Sequence, residues 1–197
     1  YAWWRLTATL DFDSPIESAL GYGLLLAEAY TWLVVVFGFI QTAWPLQRPA
    51  AAISGPPHDW PSVDVFIPTY NEPLSVVRAT VLAALALDWP ADKLKIFILD
   101  DGKREEFRAF AESVGVAHIT RSDNRHAKAG NLNHALGLTH GELVAIFDCD
   151  HIPTKSFLTR VVGWLQRDPT CAMVQTPHHC FSPDPFERNL GTFRRVP

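Results

Sequence analysis

From residue 63 onward, short β-branched apolar runs alternate with stretches of helix length, and two of those runs stop abruptly at carboxylates. Residues 63–67 read as a strand, closed by Pro68 and the polar turn Thr69-Tyr70-Asn71-Glu72-Pro73, after which a helix runs to about residue 87. Residues 94–99 read as a second strand, 105–114 as a helix, 117–119 as a short strand and 128–138 as a helix. Residues 143–147 follow as a strand, 156–166 as a helix and 172–175 as a further strand. This alternation predicts βαβ units and an α/β fold, a mostly parallel sheet with flanking helices. In such sheets the ligand crevice lies beyond the carboxyl ends of the strands, where Asp100-Asp101-Gly102 and Asp148-Cys149-Asp150 would project. A D-x-D triplet there reads as a divalent-cation site, because magnesium usually takes one or two protein carboxylates and completes its shell with substrate phosphates.

Other chemistries lack their residues. The turn after the first strand carries no G-x-G-x-x-G, and no P-loop, G-x-S-x-G or H-E-x-x-H pattern occurs in the chain. A net charge of −4 without a basic stripe argues against nucleic acid as a partner. Cys149, Cys171 and Cys180 lack C-x-x-C spacing, which fits reduced thiols rather than a disulfide framework or a structural zinc site. His151, His178 and His179 form no recognised ligand set either and read as structural or substrate-lining.

Residues 20–44 are almost wholly apolar, with Glu28 the one charge. As a helix they would reach about 37 Å at ~1.5 Å per residue, more than the ~30 Å hydrocarbon core needs. Trp3, Trp4 and Trp44 suit the membrane interfaces, and Pro45 ends the helix. Glu28 is a functional candidate inside a membrane, or the partner of a neighbouring helix. Arg5 and Arg48 lie on opposite sides, so charge gives no orientation. The expected organisation is a pre-membrane segment (1–19), a transmembrane helix (20–46), a proline-containing linker (47–61) and a partial nucleotide-binding domain (62–197). The absence of an initiator Met and the pattern still running at residue 193 lead us to expect an excerpt of a longer protein.

Taken singly, each polar cluster has a plainer reading. Asp-Asp-Gly is a common turn, residues 69–72 would suit a helix cap around Asn71, and Lys128 would do as a solvated surface lysine. Their order on successive βα units carries more. The turn Thr69-Tyr70-Asn71-Glu72, the Asp-Asp-Gly, the run His126-Ala127-Lys128-Ala129-Gly130-Asn131 and the D-x-D together resemble the processive family 2 glycosyltransferases of the GT-A (Rossmann-like) fold. Gln175-Thr176-Pro177-His178-His179 and Pro183-Asp184-Pro185-Phe186-Glu187-Arg188-Asn189-Leu190 are similar, more narrowly, to the bacterial cellulose synthase catalytic subunits within that family.

That resemblance implies roles for matching residues. Thr69, Tyr70 and Glu72 would line the uracil and ribose pocket. Asp101 would hydrogen-bond the nucleoside, Lys128 would meet the diphosphate, Asp148 would face the ribose or nucleotide and share the metal, and Asp150 would bind Mg²⁺ or Mn²⁺. With Asp101, Asp148 and Asp150 as its catalytic carboxylates, the parent would transfer glucose from UDP-glucose, with inversion, to a growing β-1,4-glucan acceptor. It would do so at the bacterial inner membrane with the transferase domain cytoplasmic. Sister enzymes making curdlan, chitin or hyaluronan, and a catalytically silent membrane-tethered nucleotide-binding module, are the alternatives. The resemblance also implies a downstream T-E-D general base, a Q-x-x-R-W acceptor motif, a PilZ module sensing cyclic di-GMP and a periplasmic partner subunit. Neither motif occurs within these residues, so they are expected to hold the donor site and not to polymerise.

Overall fold

The computed structural model describes residues 1–43, 48–178 and 185–191, with backbone alone at 186 and 187. It divides into two units, Tyr1–Pro49 and Ala50–Pro197. Trp44, Pro45, His179, Cys180, Phe181, Pro183 and Asp184 lie outside the described residues.

The first unit is a helical hairpin of α1 (Ala2–Ala8) and α2 (Pro15–Thr42). α2 starts five residues before the apolar run because its N-terminus is built from polar residues. Ser14 accepts from the Glu17 N–H at 3.2 Å, Pro15 occupies the first turn, and Glu17 reaches back to the Asp13 N–H at 3.1 Å. Its 28 residues make it long and apolar enough to cross a membrane. Glu28 has its partners within this chain, on the segment in which no helix was expected. It accepts from Arg5 Nε at 2.6 Å and from the Tyr1 hydroxyl at 2.9 Å, while Arg5 also donates to Thr9 Oγ1 at 2.5 Å. A carboxylate midway along an apolar helix is thus neutralised by an arginine facing it.

The second unit carries β1 (Val63–Thr69), α3 (Leu74–Leu85), β2 (Leu94–Asp100), α4 (Glu105–Val114), β3 (Ala117–Ile119), α5 (Ala127–Leu136), β4 (Leu143–Ile146), α6 (Phe157–Arg167) and α7 (Pro185–Leu190). The strands form a parallel sheet in the order β3-β2-β1-β4. β1 is buried along its whole length, which is why it reads as a continuous apolar run. Asp64 is the exception within it, and its carboxylate is satisfied by the Gly141 N–H at 2.5 Å.

Alternation along the strands sorts the core. Val63, Val65, Ile67, Ile96 and Ile98 pack with Val77 and Val81 of α3, Phe107 and Ala111 of α4, and Leu158 and Val162 of α6. Phe66 and Leu99 face the other way, onto Ala135 and Leu132 of α5. α4 shows the local logic. Phe107, Phe110, Ala111 and Val114 make an apolar stripe at helical spacing. Gly115 at φ +73° then turns the chain out, with the Val116 N–H closing on the Ala111 carbonyl at 3.0 Å.

The proline-containing stretch is laid on this unit from Ala51 onward. Ile53 and Trp60 pack against the core, and the Ser54 N–H donates to Gln166 Oε1 at 2.9 Å. Gly163 permits the approach of the Ala51 backbone, since a Cβ there would lie 2.7 Å from the Ala51 carbonyl carbon. Residues 172–175 are not a strand, contrary to expectation. They make no ladder pairing among the described residues, and Met173 is largely exposed, so β propensity finds no neighbour to pair with.

Candidate active site

Because every strand is parallel, the sequence-marked turns leave the sheet at the same edge. Thr69 lies in register with Asp100, and β4 follows β1 through Phe66 and Ile146, with the Phe147 N–H donating to the Phe66 carbonyl at 3.0 Å. The clusters on β1, β2 and β4 therefore emerge as neighbours.

The turn after β1 is organised by its own glutamate. Glu72 Oε2 accepts from the Thr69 hydroxyl at 2.9 Å and from the Tyr70 N–H at 2.8 Å. The Tyr70 N–H holds the Glu72 carboxyl below its usual range against the opposing effect of burial, so it is an ionised acceptor at neutral pH. Thr69 is buried and Tyr70 is 53% exposed. Asn71 does not cap the next helix, which begins at Leu74 after Pro73 with no side-chain cap.

The two adjacent aspartates after β2 each hold an arginine. Asp100 is fully buried and receives Arg104 Nε at 3.1 Å, Arg104 Nη2 at 2.9 Å and the backbone N–H groups of Gly102 and Arg104 at 2.9 and 2.7 Å. Burial pushes its carboxyl up, but the N–H and guanidinium of Arg104 and the His118 ring together outweigh it and keep it below the ordinary value. Arg104 continues to the Thr69 hydroxyl at 3.0 Å and the Glu72 carbonyl at 2.5 Å, fastening the neighbouring turn. Asp101 is also buried, and Arg121 grips it bidentately through Nε and Nη2, both at 2.6 Å. Sequence reasoning missed both arginines. An i, i+4 spacing was the available hint for Arg104; Arg121, twenty residues from its partner, had none.

Lys128 enters at the first turn of α5, and its ammonium pairs with the carboxylate of Asp148. That contact joins the amino end of a helix to the D-x-D turn. The turn is held from below by the buried Thr80 hydroxyl, which donates to the Cys149 carbonyl at 2.7 Å. Cys149 points inward, its thiol pushed up to about 11 by burial and then by the nearby negative charges of Glu72 and Asp150. Asp148 and Asp150, on either side of it, are solvent-accessible, Asp150 at 69% of its side chain. His151 Nε2 lies 3.8 Å from Asp150 Oδ1, and the His151 and His178 rings sit 4.2 Å apart.

Among the described residues no group of three or more His, Cys, Asp or Glu side chains forms a complete metal cage. Two accessible carboxylates on one turn instead fit a hard cation that draws its remaining ligands from a phosphate. Asp150 and Asp148 are the residues that would hold it.

The parallel sheet with flanking helices, its acidic turn beside the start of α5, is a GT-A fold. Residues 64–196 match "Glycosyl transferase family 2", and the chain belongs to that family. Over its full length it is 57% identical to the cellulose synthase catalytic subunit (UDP-forming) of Pseudomonas fluorescens strain SBW25, spanning 27% of that relative. It is 53% identical to the cellulose synthase 1 catalytic subunit (UDP-forming) of Komagataeibacter xylinus, spanning 26% of it. Among solved structures it is similar to a mannosyltransferase from Pyrobaculum calidifontis in complex with GDP-Man and Mn²⁺. That match has 28% identity and a TM-score of 0.57, covering 75% of this chain and 44% of the other.

Proposed function

We propose that this chain is the donor-binding portion of a membrane-anchored processive transferase that moves glucose from UDP-glucose, with inversion, onto a growing β-1,4-glucan. The observation that carries this is the Lys128–Asp148 pair, which brings the start of α5 onto the D-x-D turn beside β1 and β2. Identity of 57% to a cellulose synthase subunit supports the choice of donor and product.

Each side chain then has a task. The exposed Tyr70 ring offers a face for the base, and the ionised Glu72 accepts from a base N–H. Asp101, fixed by Arg121, supports the nucleoside. The Lys128 ammonium and the positive end of the α5 dipole bind the diphosphate. Asp150, with Asp148, holds Mg²⁺ or Mn²⁺, and such an ion supplies charge stabilisation to the departing UDP worth several kcal/mol. Lys128 now neutralises Asp148, and on donor binding its charge is available to the phosphates. α2 would cross the bacterial inner membrane with the second unit in the cytoplasm, where UDP-sugars are made.

Membranes containing the full-length protein, supplied with labelled UDP-glucose, should yield a polymer that cellulase degrades. A cellulase-resistant product would move the assignment to a synthase of another polysaccharide, and no polymer at all would favour a silent nucleotide-binding module.

A further inference from the structure

The turn that delivers Lys128 is held in a conformation its residues do not favour. His126 and Ala127 take φ of +60° and +44°, left-handed values that strain a non-glycine residue. Such strain persists only where surrounding contacts fix it. One side chain brackets it. Arg121 Nη1 donates to the Arg125 carbonyl at 2.6 Å, just before the strained pair, and Nη2 donates to the Ala127 carbonyl at 2.9 Å, at its end. The same guanidinium holds Asp101 through two bonds of 2.6 Å. The packing of the helix start agrees with these bonds. A Cβ on Gly130 would strike the Arg125 carbonyl oxygen and lie 2.6 Å from Arg121 Nη1, so the helix start is packed directly on this arginine.

We propose that Arg121 is a positioning residue of the donor site, one that ties the end of β2 to the strained turn and so sets where Lys128 meets the diphosphate. Its side chain is buried and engaged with Asp101 and the turn. Its planar fork reaches a carboxylate and two carbonyls at once, a geometry that a lysine, with all its donors on one nitrogen, does not reproduce. The proposal rests on the donor-site reading, and its test separates the two.

The full-length protein in lipid nanodiscs is titrated with UDP and, separately, with uridine, in the presence of Mg²⁺, for wild type and Arg121→Lys. Lysine keeps a positive charge beside Asp101, so the fold and the nucleoside pocket should survive. Uridine affinity should change by less than about twofold, while UDP affinity falls about tenfold, the scale of one displaced charged hydrogen bond. Gly130→Ala, which pushes on the same packing from the other side, should show the same split. Equal UDP affinity in Arg121→Lys and wild type would overturn the proposal alone. Loss of uridine and UDP binding by the same factor would also overturn it, since that marks a general structural role. Wild-type protein that binds no UDP would overturn the donor-site reading and the proposal with it.

Discussion

Arg104→Ala removes one guanidinium from three attachments: the buried Asp100 carboxylate, the Thr69 hydroxyl and the Glu72 carbonyl. Removing one partner of a buried ion pair costs about 3–5 kcal/mol, because the other charge stays behind. Asp100 keeps the backbone N–H groups of Gly102 and residue 104 and the His118 ring at 3.3 Å, which puts the loss near the lower figure, about 3 kcal/mol. For a unit of this size that corresponds to about 6–12 °C in Tm. The pH dependence gives a sharper check. In the wild type the Asp100 carboxyl lies below its ordinary value, so its stabilisation is present at neutral pH and is lost as pH falls through the folded value. Without Arg104, burial prevails and the carboxyl rises. The deficit should therefore be full at pH 7 and narrow in acid, first as the raised carboxyl of the variant takes up its proton and then, below the ordinary carboxylate value, as the wild-type one does. Thermal unfolding of the full chain, followed by tryptophan fluorescence from about pH 2.5 to pH 8, measures both. A Tm change under about 2 °C at pH 7, or a deficit that does not vary with pH, would refute the reasoning.

Further outcomes follow from the D-x-D turn and its support. Thr80→Val leaves the Cys149 carbonyl without its buried donor and should cost about 1–3 kcal/mol, read as a lower denaturant midpoint. Because the Cys149 thiol is pushed up to about 11, iodoacetamide at pH 8 should label Cys171 well before Cys149 in the folded chain, as peptide mass spectrometry will show. Equal labelling of the two would contradict the inward orientation of Cys149. Arg5→Ala should loosen the α1–α2 hairpin and speed proteolysis near residue 9, whereas Arg5→Ala combined with Glu28→Gln should recover much of the loss, since no unpaired charge then remains.

Much of the sheet was legible because its signals are local. β-branched runs such as 63–67 and 94–99 stop at residues that cannot continue an apolar strand, and those stops mark the functional edge. Tyr70, Glu72, Asp148 and Asp150 lie at those stops, whereas Lys128 drew notice only through the order of motifs that resembles the family. What stayed hidden depends on contacts far apart in sequence. Asp100 and Asp101 look alike in the motif, yet one is turned into the core against Arg104 and the other is locked by Arg121. The partner of Glu28 lay on a seven-residue helix too short to announce itself by periodicity. Residues 172–175 misled in the opposite sense, since strand composition forms a strand only where a neighbour offers hydrogen bonds.

At the carboxyl edge of this sheet a nucleoside diphosphate and a divalent cation are proposed to bind together. Calorimetric titration of UDP into the full-length protein, with Mn²⁺ and with EDTA, for wild type and Asp150→Ala, tests it directly. Mn²⁺ should strengthen UDP binding at least tenfold in the wild type and have little effect in Asp150→Ala, a difference of about 1.4 kcal/mol or more. The same Mn²⁺ enhancement in both proteins would contradict it.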